Sequence, residues 1–163
     1  MTLSDQSWPM PMVVAAGAAV AVAVMGATIT DLGSWYQMLH QPAWAPPDAA
    51  YGIIWTAIYS LNAIAAVAMW RAADRRRQAE AVIGLFALNG FLNILWSLLF
   101  FRLHRPDWAA VEAVALWCSV LSLVMCGAMR SRVAPLLLLP YLAWVSIALA
   151  LNVAVVRLNG PFA

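Results

Sequence analysis

The residues best suited to holding a ligand recur at helical spacing. Tyr51, Trp55, Tyr59 and Asn62 are separated by four, four and three positions, so they share one face of a helix. Asn89, Asn93 and Trp96 repeat the pattern, as do Tyr141, Trp144 and Ala148, with Asn152 two turns beyond Trp144. Trp and Tyr rings offer broad apolar surfaces with one polar edge, and Asn offers both a donor and an acceptor. Such surfaces suit a large, flat, mostly apolar ligand with a few polar groups. Each Asn taken alone is equally suited to bonding a neighbouring helix.

Acid, base and nucleophilic chemistry is poorly provided for. There is no Ser-His-Asp or Cys-His set, no glycine-rich phosphate loop and no paired carboxylate in an apolar stretch. Glu112 is the only acid well inside such a stretch; about one turn from Trp108, it reads as an interfacial residue rather than a proton carrier. His40 and His104 fall in connecting segments on the same side. Either could reach a haem iron, although lone loop histidines are more often solvated. Cys118 and Cys126 stand two turns apart with no CxxC pair and no His nearby in sequence, so they read as packed thiols and no metal site is expected.

The elements that must position these residues are membrane spans. Hydrophobic residues make up 65% of the chain and charged residues 10%, with a mean hydropathy of +0.83. That leaves too little polar surface for a water-soluble shell. A spanning helix needs about 20 mostly apolar residues, and five stretches qualify: residues 12–30, 49–70, 79–101, 108–129 and 133–156. The fold expected is a single all-α domain, a bundle of five transmembrane helices over residues 1–163, embedded in a lipid bilayer. No basic region precedes the first apolar run, so the first helix is expected to remain rather than to be cleaved as a signal.

All nine cations are Arg, and a net charge of +2 spread over short clusters gives no face for nucleic acid. Their distribution speaks instead to orientation. Arg71, Arg75, Arg76, Arg77, Arg130 and Arg132 lie on one side and Arg102, Arg105 and Arg157 on the other, which predicts a cytoplasmic N-terminus and an outside C-terminus. The loop at 31–48 has no Lys or Arg and belongs to the outer face. Its Pro42, Pro46 and Pro47 and its three large aromatics predict an ordered lid. Trp8, Trp35, Trp70 and Trp108 fit membrane interfaces, whereas Trp96, Trp117 and Trp144 lie away from helix ends. Ala15, Ala19, Ala23 and Ala27, like Ser146, Ala150 and Ala154, repeat every four residues and let helices approach closely.

The stretches WYQMLHQPAWAPP, YGIIWTAIYS, LNGFLNILWS and PYLAW…LN, in that order over residues 26–159, resemble the translocator protein family, also called tryptophan-rich sensory proteins or peripheral benzodiazepine receptors. The resemblance implies a five-helix bundle, commonly a homodimer. It implies binding of porphyrins such as protoporphyrin IX, of haem-type tetrapyrroles, of sterols in animal members, and of benzodiazepine-like or isoquinoline carboxamide drugs. No cofactor is required; a porphyrin or haem would be a ligand. Carried over by motif, the ligand-binding residues are Tyr36, Trp44, Trp55, Asn89, Asn93, Trp144 and Ala148, in a pocket opening toward the lid.

The chain departs from the family pattern in places. Gln41 stands where Lys is common and Ala49 where a bulky residue is common. Val153 and Ala154 replace the tyrosines of the animal sterol segment, which argues against cholesterol as the physiological ligand. Leu98 replaces a common Pro and predicts a straighter third helix. Three functions follow from the resemblance: a receptor or sensor for tetrapyrroles, a light-dependent porphyrin-degrading protein using Trp55 and Trp144 as catalytic residues, and a porphyrin or small-amphiphile transporter. Nothing in the sequence shows an inverted repeat.

Overall fold

The computed structural model describes residues 9–162, with side chains from residue 13 onward; Trp8, expected at a membrane interface, lies outside them. Among the described residues there are six α-helices: α1 Pro9–Ile29, α2 Ser34–Met38, α3 Asp48–Arg71, α4 Arg76–Ser97, α5 Pro106–Ala128 and α6 Ala134–Asn159. Among the described residues there is no strand. Proline sets several of the starts. Pro47 holds the residue before α3 in an extended conformation, and Pro106 and Pro135 occupy the first turns of α5 and α6, where no amide donor is needed.

Four stretches, Asp48–Arg71, Arg76–Arg102, Pro106–Ala128 and Ala134–Asn159, are long and apolar enough to cross a membrane. Against the expected five, the first apolar segment counts as shorter, Val13–Ile29. The chain is a helical membrane bundle in which α5 packs most extensively on α6, α6 also meets α3, and α1 closes the ring between α3 and α4.

The third long helix does not run on as a regular α-helix. From Leu98 to Arg102 it widens into a π-helical turn, with the Leu103 amide donating to the Leu98 carbonyl at 3.0 Å. Leu98 leaves a backbone donor where the resemblance leads one to expect Pro, but the helix uses its last turn to bury two consecutive rings, Phe100 and Phe101, 4.9 Å apart. Just beyond, His104 takes a left-handed backbone (φ 53°), which turns the chain into α5.

Arg71, Arg75, Arg76, Arg130 and Arg132 fall at or beside the α3–α4 and α5–α6 connections, and Arg102 and Arg105 beside the α4–α5 connection. At the end away from the lid, Ala65, Met69, Val82, Leu123, Cys126, Ala134 and Leu138 form a close-packed cluster. Toward the lid, the inner faces carry rings instead. Glu112, expected at the interface, is buried on α5 with neither carboxylate oxygen bonded among the described residues.

Candidate functional site

The lid half of the bundle is hollow. A cavity of about 860 Å³ opens there, within the range of about 300–1,000 Å³ typical of ligand pockets. Each helix delivers its wall for a local reason. Every fourth residue of α3 points the same way, so Tyr51, Trp55 and Tyr59 line one side. Asn93, Trp96 and Ser97 come from α4, Ala113 and Leu116 from α5, and Trp144, Ala148 and Asn152 from α6. The remaining wall is α1, where Ala19, Ala23, Gly26 and Ala27 leave room that larger side chains would fill. The alanine repeat of α1, expected to serve helix packing, thus also makes space.

The aromatic wall is ordered by ring contacts. Trp55 stacks on Tyr59 (5.3 Å, 25°) and meets Trp144 edge-on (6.5 Å, 90°), and Tyr51 meets Trp144 at 5.8 Å and 71°. Such offset and edge arrangements suit the ring quadrupoles and hold the side chains in fixed orientations. Trp144 Nε1 is buried without a hydrogen-bond partner among the described residues. An unbonded buried donor of this kind is costly.

The polar floor is one continuous chain of hydrogen bonds across four helices. Tyr59 Oη donates to Asn93 Oδ1 (2.9 Å), Asn93 Nδ2 donates to Tyr141 Oη (3.4 Å), Tyr141 Oη donates to Asn89 Oδ1 (3.1 Å), and Asn89 Nδ2 donates to Ser119 Oγ (2.8 Å). Nearer the lid, Trp96 Nε1 donates to Asn152 Oδ1 (3.0 Å), while Asn152 Nδ2 donates to the Pro106 carbonyl (2.8 Å). Asn62 is buried as well, and its Oδ1 has no partner among the described residues. The asparagines therefore divide: Asn93 and Asn152 reach the cavity, whereas Asn89 bonds only to neighbouring helices.

Of the residues expected to bind ligand, Tyr36, Trp55, Asn93, Trp144 and Ala148 line the cavity. Asn89 stands behind the wall, and Trp44, 53% exposed between the lid prolines, is not among the lining residues. Ser119 was not legible as part of the floor, because a serine in an apolar helix usually bonds its own backbone; this one also does, to the Leu116 carbonyl at 2.7 Å.

The lid is tied down at several points. Within α2, Trp35 stacks on His104 (4.1 Å, 17°) and Tyr36 packs 5.8 Å from Phe101. Tyr36 Oη donates to Asp48 Oδ1 at 3.2 Å; burial and the neighbouring carboxylate push this phenol well above its ordinary pKa, so it remains a donor. The His40 amide donates to Asn159 Oδ1 (2.8 Å), and Asn159 Nδ2 returns a bond to the His40 carbonyl (3.0 Å). Both histidines thus hold the lid and neither lines the cavity. Cys118 is exposed and Cys126 buried, without a disulfide, and no cluster of three potential metal ligands occurs among the described residues.

The chain is similar in sequence to several known proteins. The chain is 34% identical over 145 residues to the tryptophan-rich protein TspO of Chlorobaculum tepidum, covering 88% of this chain and 92% of that one. It is 34% identical over 142 residues to protein CrtK of Rhodobacter capsulatus (86% and 89% covered), and 32% identical over 126 residues to the translocator protein of Sus scrofa (77% and 75% covered). The TspO/MBR family model matches residues 12–158, nearly the whole length of the helical bundle, and the chain belongs to the TspO/MBR family.

Proposed function

We propose that this protein is a membrane receptor or sensor that binds flat tetrapyrroles, such as protoporphyrin IX or haem-type rings, and benzodiazepine-like or isoquinoline carboxamide drugs in the cavity beneath the lid. The observation that carries the reading is the cavity of about 860 Å³, walled by Trp55, Trp144, Tyr51 and Tyr59 and with Asn93 in its floor. Stacking against a macrocycle needs such rings, and its polar groups need a few fixed donors and acceptors. In this reading α1, 21 residues from Pro9 to Ile29, is the fifth span, and its small residues keep the cavity open. The excess of arginines at the end away from the lid, six against three, supports a cytoplasmic N-terminus and an outward lid.

One observation favours light-driven chemistry as a second reading. Trp55 and Trp144 lie 6.5 Å apart in the same wall, so a bound porphyrin would have an indole within reach of its excited state. Electron transfer from either ring would leave an indole radical cation and a reduced porphyrin, which dissolved dioxygen would then oxidise, so no acid or base in the wall is required. A single assay separates the two: purified protein is titrated with protoporphyrin in the dark and in light, following tryptophan quenching and porphyrin absorbance. Saturable quenching with stable absorbance is the result expected of a binder. Light-dependent loss that disappears in Trp55→Phe and Trp144→Phe, with binding kept, would establish the degradative reading, and unsaturable quenching would overturn both.

A further inference from the structure

The cavity has two parts, and only one of them is walled by rings. Its deepest lining residue on α4 is Asn93, on α5 Leu116 and on α6 Trp144, so these three helices enclose the lid half alone. Along α1 and α3 it runs on. Gly26 marks the level of Tyr59, because a methyl added there would stand 4.0 Å from Tyr59 Oη. Ala16, which also lines the cavity, stands ten residues before Gly26, about 15 Å farther from the lid at about 1.5 Å per residue. Ala19 and Val20 line the stretch between, and Ser60 and Ala63 continue α3 in the same direction. Ser60 Oγ donates to the Thr56 carbonyl of its own helix (2.8 Å), which leaves this slot without a free polar group. Small residues at such a seam have an ordinary explanation, close packing of two helices. Close packing would cover them, yet Ala16, Val20 and Ser60 are exposed and border one continuous cavity.

We infer that this slot takes a hydrocarbon tail. The ligand class is a flat ring bearing one long alkyl or isoprenoid chain, with the ring against Trp55 and Trp144 and the chain lying between α1 and α3, directed away from the lid. The inference rests on the cavity being a ring-binding site and adds to what that site holds. Alanine and valine offer neither a face for stacking nor a donor for a polar arm, whereas a chain needs only apolar contact. A chain tethered to the bound ring is also delivered to the slot at high effective concentration, an advantage that a free lipid chain lacks. Its contribution is one of packing, because it leaves one hydrocarbon surrounding for another. The slot therefore acts by admitting tailed rings rather than by adding a large affinity.

Two probes with the same ring test the point, the monomethyl and the monododecyl ester of protoporphyrin IX, titrated in the dark against the full chain in lipid nanodiscs by tryptophan quenching. Each is measured on wild type and on Ala16→Leu, so that differences in partition into the bilayer cancel. The ratio of dodecyl to methyl affinity is expected to fall at least about fivefold in Ala16→Leu, the lower end of what overfilling a packed site costs, with the methyl ester unaffected. A second measurement needs no variant: a dodecyl ester with a diazirine at its chain end, photolysed on wild type, should label α1 between Ala16 and Val20 or α3 at Ser60 and Ala63. The proposal is overturned if the ratio is unchanged in a folded Ala16→Leu, if both esters lose affinity equally, or if the diazirine labels only outward residues such as Phe91 of α4 and Val111 of α5. Failure of the methyl ester to saturate on wild type would remove the ring-binding reading, and this inference with it.

Discussion

The two ends of the bundle are built from the same long helices and packed in opposite ways. Away from the lid, Ala65, Met69, Leu123, Ala134 and Leu138 are 0% exposed and leave no space between helices. Toward the lid, α3, α4 and α6 turn Trp, Tyr and Asn inward while α1 offers mostly alanine and glycine, and a cavity results. The boundary between them is the hydrogen-bonded chain from Tyr59 to Ser119. Apolar content alone therefore does not decide packing: a large rigid ring that cannot collapse onto a facing alanine leaves a void that aliphatic side chains would have closed.

Substitutions at the two ends should separate stability from binding. The largest stability effect is expected from Leu138→Ala, which opens a void in the close-packed end and should cost about 2–5 kcal/mol, read by thermal unfolding in detergent. Ligand affinity per folded molecule should be unchanged. Tyr141→Phe cuts the boundary chain in the middle, leaving Asn89 Oδ1 and Asn93 Nδ2 without that partner. Its cost should be about 1–2 kcal/mol, since interhelical hydrogen bonds in membranes contribute modestly. A smaller effect is expected from Gly90→Ala, whose added methyl would meet Val22 Cγ2 at 3.1 Å and press α1 outward. That change should lower affinity before it lowers stability by more than about 1 kcal/mol.

Much of this was legible in the sequence, for identifiable reasons. Helical spacing alone brought Tyr51, Trp55 and Tyr59 to one wall, and Pro42, Pro46 and Pro47 marked the lid. What spacing could not supply was which of two stacked asparagines turns into the cavity. Asn89 and Asn93 share a face one turn apart, and only the positions of Ser119 and Tyr141 on other helices assign the first to the bundle and the second to the site. Burial of Glu112 was hidden for a similar reason: nearness to the start of α5 suggested the interface, but its rotation about the helix axis aims it at the core. Trp44 came from the family motif alone, because loop residues have no periodicity from which to infer a facing, and it does not line the cavity.

The central claim is that the hollow end of the bundle is the place where a flat ligand binds. Ala23→Phe tests it most directly, because Ala23 lines the cavity from α1 and belongs to neither the ring wall nor the polar floor. Protoporphyrin is titrated against wild type and Ala23→Phe in the dark by tryptophan quenching, with thermal unfolding measured on both. The account predicts saturable quenching in wild type, a loss of affinity of at least about tenfold in the variant, corresponding to about 1.4 kcal/mol, and an unchanged unfolding temperature. Equal affinity in the two proteins would contradict it.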